Sequence, residues 1–289
     1  MHNNIILAAE TGSDITPELA KELGIYLVPM HVQMDDLTLD DGSFPVSDIC
    51  AFYEKTGRVP KTSGSTPFDC KKVFDRIHSE HPDKYILYLA YSAITTVSYQ
   101  SAVIAAEGDE LFRIIDTKQV SVGQGTAVRK TAAFLSAHPD CSIDEAVTAA
   151  ERIAESVEMS FIPDNLDYLR AGGRVSNTTA LVGNLLNLHP CIEIIDGRLM
   201  AKKKYRGSTD SIIPKMIRDF VEKHQPDTKK LFLICSIGLP DSSKRIAEEA
   251  ASAAGYSEIE WCETGCVITC HGGPKAFGIV GIRNSSGSC

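Results

Sequence analysis

Short apolar runs alternate along this chain with longer segments whose apolar positions recur every three or four residues. The first half reads as strands at 5–9, 25–28, 85–90 and 111–115, with helices at 16–23, 46–55, 67–79, 100–106, 121–137 and 143–156. Past residue 156 the rhythm changes. A strand at 157–162 comes first, then two runs at 192–195 and 199–205 around Asp196-Gly197, a strong hairpin signal. A helix at 210–223, a strand at 231–235 and a helix at 242–254 follow. Residues 259–282 read as short strands about a glycine-rich turn.

Strands that alternate with helices predict an α/β fold with a largely parallel sheet. The change of pattern places a boundary near 158. It predicts two α/β domains: 1–158 with a mostly parallel sheet, and 159–289 with a mixed one. In an open α/β sheet, ligands collect beyond the carboxyl ends of the strands. The turns at 10–14 and 92–98 both fall on that edge.

Composition narrows the function classes. The 289 residues carry a formal net charge of −9, which argues against a nucleic-acid partner and against adhesion to an anionic membrane surface. The apolar run at 5–9 is too short for a signal peptide and soon meets Glu10 and Asp14. No run reaches the roughly 18 apolar residues of a membrane span. These features predict a cytoplasmic protein without stable membrane anchoring.

The most informative local stretch is Lys61-Thr62-Ser63-Gly64-Ser65-Thr66-Pro67. Thr66 reads as an N-cap, Pro67 as the first helical residue and Asp69 as a complement to the helix dipole. Thr62, Ser63 and Ser65 add hydroxyls just ahead of unpaired helix N–H groups, a neutral cluster able to hold a carboxylate or phosphate. Taken alone, the residues leave capping and anion binding both open. His271 enters a Gly-Gly-Pro turn, where it can be structural or can use its near-neutral pKa on a ligand. Arg170, Arg174 and Arg206 are cations in an acidic protein, and solvated surface positions would account for them.

Nine cysteines are scattered and odd in number, which argues against a disulfide framework. Cys262, Cys266, Cys270 and His271 offer soft ligands at close spacing. Read as a strand, however, that stretch would string its cysteines along one face over about 26 Å. The expectation is no metal site and no cofactor.

Six fragments in order resemble the DegV family of bacterial fatty-acid-binding proteins, and the resemblance spans nearly the whole chain. They are Thr11-Gly12-Ser13-Asp14, Pro60-Lys61-Thr62-Ser63, Thr96-Val97-Ser98-Tyr99-Gln100-Ser101-Ala102, Tyr168-Leu169-Arg170-Ala171-Gly172-Gly173-Arg174-Val175, Lys204-Tyr205-Arg206-Gly207 and His271-Gly272-Gly273-Pro274. The resemblance implies two α/β domains with one long-chain fatty acid between them. It implies carboxylate contacts from Thr62 and Thr96, with Ser63 beside them and His271 close to the head group. It also implies a separate fatty acid kinase that converts the presented acid to an acyl phosphate, and docking of that partner by Arg174 and Arg206. No catalytic residue is expected in the chain itself.

The sequence departs from the family pattern at several positions. Val97 stands in place of a glycine, Thr96 in place of a serine, His189 often in place of a lysine and Lys275 in place of a glycine, while Glu10-Thr11 replaces an Asp-Ser pair. Two other readings compete with the carrier. One is an enzyme acting on a small carboxylate or phosphorylated substrate, with His271 as base or nucleophile and Thr62 as anion holder. The other is a cysteine-ligated metal or redox module. Against catalysis, the chain lacks a phosphate-loop motif, a Gly-x-Ser-x-Gly elbow and a His-Glu-x-x-His motif.

Overall fold

A computed structural model describes residues 4–175, 188–227 and 229–283. In chain order the first elements are β1 (Ile5–Glu10), a single 3₁₀ turn at Thr11–Ser13, α1 (Pro17–Leu23), β2 (Ile25–Val28), β3 (His31–Met34), β4 (Leu37–Asp40), α2 (Ser47–Thr56), β5 (Lys61–Ser63) and α3 (Pro67–Glu80). There follow β6 (Tyr85–Ala90), α4 (Ser98–Ala105), β7 (Phe112–Asp116), α5 (Ser121–Ala137) and α6 (Ile143–Ser156). The remainder comprises β8 (Val157–Ile162), α7 (Leu166–Gly172), β9 (Leu188–Ile195), β10 (Arg198–Arg206), α8 (Thr209–His224), β11 (Lys230–Cys235), α9 (Asp241–Ala253), β12 (Glu258–Glu263), α10 (Cys266–Gly272) and β13 (Phe277–Ile282).

The protein is α/β and divides into two compact units. One comprises the chain up to Phe44 together with Thr62–Glu155, the other Pro45–Lys61 together with the chain from Ser156. A single expected boundary near 158 did not anticipate the excursion at 45–61, which carries α2 into the second unit.

The first unit is built on a parallel sheet of order β2-β1-β6-β7. Its strands alternate between two apolar layers. Ile5, Leu7 and Ala9 pack with Val128 of α5 and Ala146 of α6, whereas Ala8 packs with Val73, Phe74 and Ile77 of α3 and Ala102 of α4. Period-two alternation therefore turns Glu10 toward the α3–α4 layer as well. A small sheet of order β4-β3-β5 flanks this unit. The second unit is a mixed sheet of order β10-β9-β8-β13-β11-β12, with the β9–β10 hairpin turning at Asp196-Gly197 as expected.

The structure corrects the expectation for residues 259–282. Between β12 and β13 the chain forms α10, so Cys266 and Cys270 lie on a helix, while Cys262 lies on β12. Among the described residues no group of three metal-ligating side chains comes together, and no helix is long and apolar enough to cross a membrane. The β3–β4 hairpin and α7 were not predicted from sequence. Their runs are only four to seven residues long and show no clear periodicity.

The cap expected at Thr66 is present as a full capping box. Asp69 N–H donates to Thr66 Oγ1 at 3.2 Å, and Thr66 N–H donates to Asp69 Oδ2 at 2.8 Å. Replacing Thr66 by Ala should cost about 1 kcal/mol of stability in urea unfolding; a change below about 0.3 kcal/mol would mean that the helix start is held by other contacts.

Candidate functional site

Strand order locates the candidate site. From β1 the chain moves outward to β2, and from β6 it moves the other way to β7, so the direction of winding reverses between β1 and β6. Such a switch point opens a crevice at the carboxyl ends of the two strands. Here those ends are Glu10 and the loop from Tyr91 to Val97, the loop that carries Thr96.

The Thr62–Ser65 turn closes onto this loop. Ser65 N–H donates to Ser98 Oγ at 3.0 Å, and the Thr96 and Ser98 hydroxyls are 3.1 Å apart. Gly64 makes the approach feasible: a Cβ there would lie 2.2 Å from Thr96 Oγ1 and 2.6 Å from Ser98 Oγ. The turn that carries Thr62 and Ser63 thus meets the loop that carries Thr96, at the N-terminal ends of α3 and α4. Thr62 and Thr96 are half-buried and Ser63 is exposed. Neutral donors and helix N–H dipoles in that corner suit an anion without a guanidinium clamp. Val97, which could have crowded the corner, instead points outward at 66% exposure.

A buried carboxyl closes β1 at this edge, and sequence reasoning noted it only as a departure from the family pattern. Glu10 is wholly inaccessible. Its Oε2 accepts from Tyr91 N–H at 3.0 Å and from Gln124 Nε2 at 2.6 Å, while Oε1 has no partner. Burial pushes the carboxyl up to about 7, although those same hydrogen bonds pull it down. The available signal was the position of an acid closing a buried strand at the ligand-bearing edge.

In the second unit, the Gly-Gly-Arg segment and the histidine turn do meet. His271 Nδ1 lies against Gly172, where a Cβ would come within 2.3 Å, and Arg174 Nη1 donates to Gly172 O at 2.6 Å. Burial pushes the His271 imidazole down to about 4, helped by the nearby Arg174 cation. A base so weak stays neutral at pH 7.

Arg174 and Arg206 do not form a pair along β10. Val175 bridges to Leu199, near the start of that strand, whereas Arg206 ends it opposite Leu188, about 20 Å further along. His189 on β9 places its Nδ1 3.3 Å from Pro163 O. Lys275, at a position where the family pattern has glycine, adopts φ +58°, a left-handed conformation in which glycine is at ease.

A family model described as "Uncharacterised protein, DegV family" matches residues 4–284. The chain belongs to the DegV family. It is 29% identical over 284 residues to a DegV domain-containing protein of Caldanaerobacter subterraneus, covering 95% of this chain and 97% of that one. It is 27% identical over 282 residues to a Thermotoga maritima protein named fatty acid-binding protein, covering 94% and 95%. Its fold matches the structure of a DegV-family protein from Thermus thermophilus, described for fatty acid binding, with a TM-score of 0.86 at 24% identity over 97% of this chain and 99% of that one.

Glu10 and His271 give opposite pH signatures. The folded state keeps a proton on Glu10 that the unfolded state releases above about 4.5, so this group's contribution falls as pH rises from 4.5 to 7. The folded state excludes a proton from His271 that the unfolded state takes up below about 6.5, so this contribution falls as pH drops from 6.5 to 4. Each slope is at most about 1.4 kcal/mol per pH unit. Urea unfolding of Glu10→Gln should lack the first slope and that of His271→Gln the second; wild-type slopes surviving in either variant would reassign the titration.

Proposed function

We propose that this protein binds one long-chain fatty acid, holding its carboxylate with the hydroxyls of Thr62 and Thr96, with Ser63 beside them. The observation that carries the reading is the close approach of the Thr62–Ser65 turn to Thr96 and Ser98, which Gly64 alone permits. Membership in a family with a fatty acid-binding member supports it. Burying the tail supplies affinity at about 0.8 kcal/mol per CH₂, so fourteen methylenes offer on the order of 11 kcal/mol before ordering costs.

The chain acts as a carrier and not as a catalyst in this reading. A neutral hydroxyl site leaves the carboxylate nucleophilic, because no cation withdraws its charge. That suits presentation of the acid to a separate fatty acid kinase, which would add the phosphoryl group. Arg174 and Arg206 are proposed as docking points for the partner, and His271 as a neutral hydrogen-bonding group for the head group. The protein is expected to work in the cytoplasm, with no cofactor.

Native mass spectrometry of freshly purified protein should show a one-to-one complex with a C14–C18 fatty acid. Thr62→Ala should weaken binding by about 1–3 kcal/mol by depriving a buried carboxylate oxygen of a donor. Absence of co-purified lipid together with no thermal stabilisation by added fatty acid would remove the carrier reading. Unchanged affinity in Thr62→Ala would place the head group elsewhere.

A further inference from the structure

The crevice holds more polar capacity than the surrounding protein satisfies. Glu10, Ser65, Tyr88 and Gln124 are each fully buried. Glu10 Oε1, Ser65 Oγ, Tyr88 Oη and Gln124 Oε1 all lack hydrogen-bond partners. Buried polar atoms are ordinarily paired, and these four are among those of the first unit that are not. Three of them belong together. Gln124 donates to Glu10, and the Tyr88 hydroxyl, raised well above its ordinary pKa by burial and by the Glu10 charge, faces the carboxyl without a hydrogen bond of normal geometry. Ser65 belongs to the turn that carries Thr62.

Glu10 bonds one of the segments that bear the head-group hydroxyls and acts electrostatically on the helix that follows the other. It holds Tyr91 N–H, at the start of the loop that carries Thr96. It lies within electrostatic reach of Cys70, in the first turn of α3, whose thiol it helps push up to about 12 after burial. We propose that Glu10 is a proton-accepting carboxyl coupled to the head-group corner, so that seating a fatty-acid carboxylate is accompanied by uptake of one proton from solvent onto Glu10.

The chemistry is a simple protonation, in which an O–H bond forms on Oε1 and nothing else is broken. Oε2 already accepts two donors, so the proton goes to Oε1, which has no partner. A second carboxylate entering the corner penalises a charged Glu10, because like charges in a poorly solvated site raise each other's pKa. The groups that face Glu10 leave little else to take the proton. They are Tyr88 from β6, Cys70 from α3, the neutral Gln124 from α5 and the backbone of Tyr91. Asp69 of α3 is engaged by Thr66 and His31, and Asp14, after the first 3₁₀ turn, by Ser121. Burial, opposed by the hydrogen bonds to Oε2, sets the carboxyl at about 7, so the coupling operates around neutral pH. Reciprocity then makes fatty-acid affinity fall as pH rises.

This inference rests on the fatty-acid reading of the corner, and calorimetry separates the two. Dodecanoate, at monomeric concentration, is titrated into the full protein at pH 7.5 in phosphate and in Tris, whose ionisation heats differ. A one-unit rise in the Glu10 pKa gives uptake of about half a proton per fatty acid, and an affinity about tenfold weaker at pH 9 than at pH 6. In Glu10→Gln, binding should carry no uptake and no pH dependence. Binding without uptake in the wild type, or uptake that persists in Glu10→Gln, overturns the proton coupling while leaving the carrier reading standing. No binding at any pH overturns the carrier reading and the coupling with it. Should Glu10→Gln fail to fold, ¹³C NMR of carboxyl-labelled glutamate in the wild type decides. A resonance titrating near 7 that shifts upward on loading supports the coupling, and one that does not move overturns it.

Discussion

Everything proposed for this protein depends on one close approach. Two polar segments far apart in sequence can pack hydroxyl against backbone only because position 64 carries no side chain. An alanine there would put a methyl group inside hydrogen-bonding distance of Thr96 and Ser98, and the two segments would have to part. Their union places hydroxyls and helix N–H groups from α3 and α4 at the same point. The parallel sheet brings that point to the place where winding reverses, between β1 and β6. Capping keeps α3 in position. The Thr66–Asp69 box is extended by His31, whose Nε2 lies 2.9 Å from Asp69 Oδ2 and whose Nδ1 lies 3.0 Å from Asp40 Oδ1.

The electrostatics of the chain avoid strong charge where charge would be expected to do the binding. Burial raises the Glu10 carboxyl to about 7 and lowers the His271 imidazole to about 4, in each case favouring the uncharged form. A carboxylate held by neutral donors keeps its electron density, which a phosphoryl acceptor can use; one clamped by arginine would not. In the proposed reading, affinity comes mainly from the buried tail, which separates the source of binding energy from the source of reactivity.

Much of the fold was legible in the sequence, for identifiable reasons. The buried strands β1 and β6 are continuous apolar runs, and α5 and α6 are long enough for their period to show. Asp196-Gly197 announced the β9–β10 hairpin. What escaped detection was short or context-dependent. The helix α10 carries Thr269, Cys270 and two β-branched neighbours in a single pair of turns, a composition that suits a strand equally well. The site was half legible. Hydroxyl-rich turns at Thr62 and Thr96 could be seen, but their contact through Gly64 depends on tertiary packing. Glu10 looked like the polar end of a strand, and only its complete burial reveals an acid within the site. Val97 stands where the family pattern has glycine, and its side chain is turned outward.

The central claim is that neutral hydroxyls, without a cation, receive the fatty-acid carboxylate. A crystal structure of the protein with hexadecanoate tests this most directly. The account predicts both carboxylate oxygens within hydrogen-bonding distance of Thr62 and Thr96, with no arginine or lysine nitrogen within about 4 Å, the usual limit for an ion pair. A carboxylate seated on a guanidinium or ammonium group, away from those two threonines, would contradict it.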